Sequence, residues 1–86
     1  MGFSQTPLTV VDLWINNPTA PEFTDANYNP YYGPIYSWDT SNVTDMDMLF
    51  HNRTTFNDDI GGWDTSNVEY MGQMFNGASS FKIIVN

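Results

Sequence analysis

An 86-residue chain makes one small domain, which on folding removes only about 60–65 per cent of its surface from water, so its stability needs outside support. It has no cysteine, which excludes disulfides and thiolate metal sites, and its ten acidic residues against Lys82 and Arg53 give a net charge of −8. That charge repels a phosphate backbone or an anionic bilayer, so nucleic acid is excluded as a partner. An apolar share of 41 per cent, with six Phe, five Tyr and three Trp, sets the chain apart from disordered acidic tails.

No apolar run approaches the roughly 18 residues a membrane span requires, so no span is expected. The first six residues lack the charged and hydrophobic regions of a secretory signal, as in a mature or leaderless product. They fit the loose pattern that permits a myristoyl chain on Gly2, but no polybasic patch supplies a second anchor. A disordered start is expected. Thr6 then reads as an N-cap before Pro7, and Leu8, Val11, Trp14 and Ile15 share one face of a helix of about ten residues that ends near Asn17 and Pro18. Pro18, Pro21, Pro30 and Pro34 make the stretch to residue 34 an irregular connector whose tyrosines pack on the residues beyond it.

The rest repeats. Residues 35–50 align without a gap on residues 60–75, a period of 25, and Trp-Asp-Thr-Ser-Asn-Val is identical at 38–43 and 63–68. Met46 matches Met71, Leu49 matches Met74, Phe50 matches Phe75 and Phe56 matches Phe81, so apolar positions persist while polar ones drift. Such units bury their apolar faces by stacking. Met46, Leu49 and Phe50, like Met71, Met74 and Phe75, stand at i, i+3, i+4 and predict a short helix in each unit, capped by Ser41 and Ser66. Asn76-Gly77, and less well His51-Asn52, supply the left-handed stop. Residues 56–60 and 81–85 predict short strands.

The division is therefore an N-terminal capping helix and connector at 1–34, a first unit at 35–59 and a second unit with a terminal strand at 60–86. The expected core is Trp38, Val43, Met46, Leu49, Phe50, Phe56, Trp63, Val68, Met71, Met74, Phe75 and Phe81. Ile83 and Ile84 stand where the first unit has Asp58 and Asp59, so polar strand positions have become apolar, and Lys82, Ile83, Ile84 and Val85 are the candidate protein interface, an edge strand open to another chain.

Catalytic and metal chemistry finds little to work with. His51 is the single histidine, and Ser41 with His51 and Asp39 has an adequate reading in capping and turn formation. Asp58 and Asp59 are the densest carboxylate pair, without the spacing of a calcium loop. Gly61-Gly62 has no following lysine to make a phosphate loop. The sequons at Asn42 and Asn52 are read as structural or unused. The expectation is a protein that is not an enzyme and has no cofactor or metal.

The repeated string, Trp38 to Phe50 with Phe56, Asn57, Asp58, Asp59 and Ile60, and Trp63 to Phe75 with Ala78, Ser79, Ser80 and Phe81, resembles the BspA-like surface-protein repeats, a divergent branch of the leucine-rich repeats. The resemblance covers roughly residues 8–86. It implies an α/β repeat solenoid, a short right-handed leucine-rich-repeat-like stack with an N-terminal capping helix, used at surfaces for adhesion and protein contact. The expected function is a non-catalytic interaction or structural subunit of a larger surface assembly, on the outside of a cell or virus particle. Its partner would be another protein or further copies of itself. Two variants of that reading are a cell-surface adhesion or receptor-contact module and a capsid decoration or cementing protein.

Overall fold

In a computed structural model, which describes residues 2–3 and 5–82, helix α1 spans Leu8–Asn16 and a second, short helix α2 spans Pro21–Thr24. A single 3-10 turn, Ile35–Ser37, opens the first repeat unit. α1 begins when the amide of Val11 bonds the carbonyl of Pro7 at 2.8 Å. Pro7 itself takes the N-cap position without a side-chain cap, so Thr6 does not cap the helix as expected. Val11 is its one fully buried residue, and the helix stops at Asn17, which the following Pro18 keeps out of helical backbone geometry. The connector is more ordered than its prolines suggest. Pro21 starts α2 at a position where the missing amide costs nothing, and Phe23 turns into the core. The carbonyl of Glu22 then accepts the amides of Tyr32 and Gly33 at 2.7 and 3.2 Å, which closes the loop.

Where a disordered start was expected, Phe3 and Gln5 are built into the fold. Phe3 is buried and stacks on Tyr32 with ring centres 4.9 Å apart, while the carbonyl of Gln5 accepts the amides of Thr44 and Asp45 at 3.0 and 3.2 Å.

The expected α/β repeat solenoid, with its leucine-rich-repeat-like stack, is not what forms. Among the described residues there is no strand or sheet, only an isolated parallel bridge between Asp45 and Tyr70, and both α-helices lie ahead of the repeats. Where a helix was expected in each unit there is a chain of tight turns. Leu49, His51 and Arg53 donate to carbonyls three residues back, at Met46, Met48 and Phe50. Met74, Asn76 and Ala78 do the same to Met71, Gln73 and Phe75, each 25 positions on. Met48 and Gln73 both have φ near +60°, which no α-helix accommodates. The remaining amides point sideways: Met46, Phe50 and Asn52 donate to the carbonyls of Tyr70, Met74 and Asn76 at 2.8–2.9 Å. Ser41 and Ser66 consequently cap no helix.

The strand expected at residues 56–60 also fails to form, because its neighbour answers it through side chains. The Lys82 amide donates to Asn57 Oδ1 at 2.9 Å, and the Ser79 hydroxyl reaches the carbonyl of Thr54 at 3.5 Å. Ile83, Ile84 and Val85, the remainder of the expected terminal strand, lie outside the described residues.

Aromatic pairs connect equivalent positions. Trp38 stacks on Trp63 at 6.0 Å, Phe50 on Phe75 at 5.5 Å and Phe56 on Phe81 at 5.5 Å, all within 16° of parallel. Within the units Phe50 stacks on Phe56 and Phe75 on Phe81. Pairs of this kind contribute about 0.5–1.5 kcal/mol each beyond the area they bury. Trp38, Val43, Met46, Leu49, Phe50, Phe56, Trp63 and Met74 are buried, and Val68, Phe75 and Phe81 are partly buried against them. Met71, assigned to the core by periodicity, is 47 per cent exposed: its counterpart Met46 is covered by the second unit, and no described layer covers Met71.

Candidate interaction surface

The second unit is held by groups that the first unit presents at fixed places. The carbonyl of Thr44 accepts the amides of Glu69 and Tyr70 at 2.7 and 3.3 Å, the same two-amide arrangement that Gln5 provides for Thr44 and Asp45. The buried Thr40 hydroxyl accepts the amide of Asp64 at 2.9 Å and donates to its carbonyl at 3.1 Å. The Asn67 side-chain amide donates to the carbonyl of Ser41 at 2.6 Å. Gln5, Thr44 and Glu69 thus occupy successive rungs.

One period later the same groups face outward. Thr65, the counterpart of Thr40, is exposed, as are Ser66, Glu69, Tyr70 and Met71, with Tyr70 at 61 per cent. Among the described residues the amides of Met71, Phe75 and Gly77 have no acceptor, whereas those of Met46, Phe50 and Asn52 are all bonded to the second unit. An edge with unpaired amides and exposed aromatic and apolar side chains is a template for another polypeptide. Lys82, the described residue of the segment expected to form the interface, is exposed, and its amide bonds Asn57 of the first unit.

The repeated aspartates shape turns. The carboxylate of Asp39 accepts both the hydroxyl and the amide of Ser41, at 2.6 and 3.1 Å, and the Ser41 hydroxyl, then its amide, holds the Asp39 carboxyl below its usual pKa of 3.8. Ser66 does the same for Asp64, whose carboxylate accepts the Ser66 amide at 2.9 Å. The groups from which a catalytic or calcium site could be drawn are engaged in local hydrogen bonds. Asp39 is committed to Ser41, Asp59 accepts the amide of Gly61, and Asp58 accepts the indole N–H of Trp14. Among the described residues no three His, Cys, Asp or Glu side chains are gathered as metal ligands would be. No described helix is long and apolar enough to cross a membrane.

Sequence reasoning missed the side of the first unit that faces α1. Asp12 of α1 pairs with the Arg53 guanidinium, and Trp14 donates to Asp58 at 2.9 Å across 44 residues. Trp14 also meets Phe23 and Trp38 edge-on. Single charged residues in loops carry no periodic signal, so only the arrangement in space reveals these pairs.

Residues 22–86 match a family model described as "Mycoplasma protein of unknown function, DUF285", three quarters of the chain. No curated protein and no solved structure matches. The match begins at the second residue of α2, takes in both units and leaves out α1.

Proposed function

The chain belongs to the DUF285 family, and from that premise we propose that it is a non-catalytic protein-interaction subunit that engages its partner through the outer edge of the second unit. The observation that carries this reading is the repetition, on exposed Thr65, Ser66 and Glu69, of the groups by which Thr40, Ser41 and Thr44 hold the second unit. The partner supplies carbonyls to Met71, Phe75 and Gly77 and covers Tyr70 and Met71, and a second copy of this chain is the simplest such partner. The net charge of −8 keeps the association salt-dependent, since like charges must be screened for two copies to meet.

The finer reading, that the subunit works at a surface in adhesion like BspA-like repeat proteins, is supported by the twofold Trp-Asp-Thr-Ser-Asn-Val string and its downstream Phe. Light scattering coupled to size exclusion, at rising protein concentration in moderate salt, tests the proposal. Association that Met71→Asp abolishes, with the circular dichroism unchanged, agrees with it. A wild-type chain that stays monomeric throughout, or an association indifferent to Met71→Asp, contradicts it.

A further inference from the structure

A second surface has different chemistry. Between the end of α1 and the first unit lies a cleft of about 210 Å³ lined by Trp14, Ile15, Pro18, Thr55, Phe56 and Asp58. Its two sides have different origins. Thr55, Phe56 and Asp58 come from the first unit and fall within the family match, and Trp14, Ile15 and Pro18 come from α1 and the residues after it, ahead of the match.

Asp58 is the only charged residue in the lining. Its Oδ2 accepts the Trp14 indole N–H, which fixes the carboxylate, while Oδ1 has no partner among the described residues. Among the described residues no cation pairs with it: Arg53 is paired with Asp12, and no ion pair joins Lys82, whose amide bonds Asn57 of the first unit, to Asp58. The rest of the lining is apolar except for Thr55. A cleft of mixed polar and apolar walls that holds one oriented carboxylate beside Ile15 and Pro18, on a body of charge −8, complements a cation carried on a methylene stem.

We propose that the cleft between Trp14 and Asp58 receives a lysine side chain of a protein partner, its stem against Ile15 and Pro18 and its ammonium on Asp58. Lysine fits better than arginine because a compact ammonium needs one carboxylate oxygen, whereas a planar guanidinium seeks two in a fork, and one of the two is already held by Trp14. This rests on the reading of the chain as a protein-interaction subunit and names the chemistry of a partner at a separate surface from the outer edge.

The test monitors the Trp14 indole N–H by NMR while the intact chain is titrated with a short peptide bearing one central lysine. The same peptide with norleucine or arginine in that place, and butylammonium alone, serve as comparisons. The lysine peptide is expected to shift the Trp14 signal, and Asp58→Asn to weaken it about tenfold or more, since a hydrogen bond to a charged group is lost. Asn keeps an oxygen for the Trp14 N–H, and a circular dichroism spectrum and unfolding midpoint close to wild type verify the fold of free Asp58→Asn. Asp59→Asn, whose parent carboxylate bonds the Gly61 amide, should bind as wild type.

Equal binding of the norleucine or arginine peptide, or full binding to Asp58→Asn, overturns the proposal. Butylammonium binding as tightly as the peptide overturns the protein source in favour of a small amine. Because Met71 lies outside the cleft, a failure here alongside association that Met71→Asp abolishes rejects the cleft alone, and the reverse pattern rejects the outer edge.

Discussion

The hydroxyl of Thr40 bonds both backbone groups of Asp64, accepting its amide at 2.9 Å and donating to its carbonyl at 3.1 Å, 24 residues away. Thr40 is 2 per cent exposed, so this one side chain replaces a rung of sheet between units that have no sheet. Thr40→Val keeps the shape and leaves Asp64 with an unanswered amide, which should cost about 1–3 kcal/mol. Thr65→Val, at the exposed counterpart, should stay within about 0.5 kcal/mol of wild type. Urea denaturation of the two variants checks the contrast.

Gly77 and Asn52 are equivalent positions, both with positive φ (81° and 59°), and they abut. A Cβ on Gly77 would collide with the Asn52 side-chain oxygen and come within 3.2 Å of its Cα. Gly77→Ala should therefore cost more than the about 1 kcal/mol that a left-handed alanine costs by itself. In an Asn52→Gly background the penalty should shrink, because part of the collision is removed. A double-mutant cycle in thermal or urea unfolding measures that coupling.

Asp39 and Asp64 have folded-state pKa values below their ordinary 3.8 because Ser41 and Ser66 donate to the ionised carboxylates. A depressed folded pKa contributes stability that is present above the unfolded value and is lost as the pH falls through the folded one. Unfolding midpoints should thus drop as the pH goes from about 4 downward. NMR titration of the two carboxyls should show Ser41→Ala raising the pKa of Asp39, and Ser66→Ala that of Asp64. Unmoved values would mean that the serines do not hold these turns.

Arg53 and Asp12 join the first unit to α1, but their side chains are 30 and 46 per cent exposed. Solvent screens such a pair, and Arg53→Met should cost at most about 1 kcal/mol. The difference from wild type should narrow in high salt, which denaturation at two ionic strengths would show.

The period of 25 and the pairing it implies were legible in the sequence. Trp38 with Trp63, Phe50 with Phe75 and Phe56 with Phe81 stack as aligned. Local backbone geometry was not legible. Apolar residues at i, i+3, i+4 lie on one face of a helix, but a chain of tight turns brings Met46, Leu49 and Phe50 to one side as well. Nothing about Met48 or Gln73 announces a positive φ, because neither methionine nor glutamine favours it and tertiary packing sets it. The arm was missed for a related reason. Phe3 is a lone aromatic in a polar stretch, and the role of Gln5 is carried by its backbone carbonyl, which any residue possesses. Asp58 and Trp14 lie too far apart in sequence for any spacing rule to connect them.

The most direct test of the proposed interaction edge is residue-resolved amide hydrogen exchange on the dilute chain and on the associated form. In the dilute chain Met46, Phe50 and Asn52 should exchange slowly, since each bonds the second unit, and Met71, Phe75 and Gly77 quickly. On association the last three should slow while the first three hardly change. If Met71, Phe75 and Gly77 are already as protected as their counterparts in the dilute chain, or stay fast when the chain associates, the outer edge of the second unit is not where partners bind.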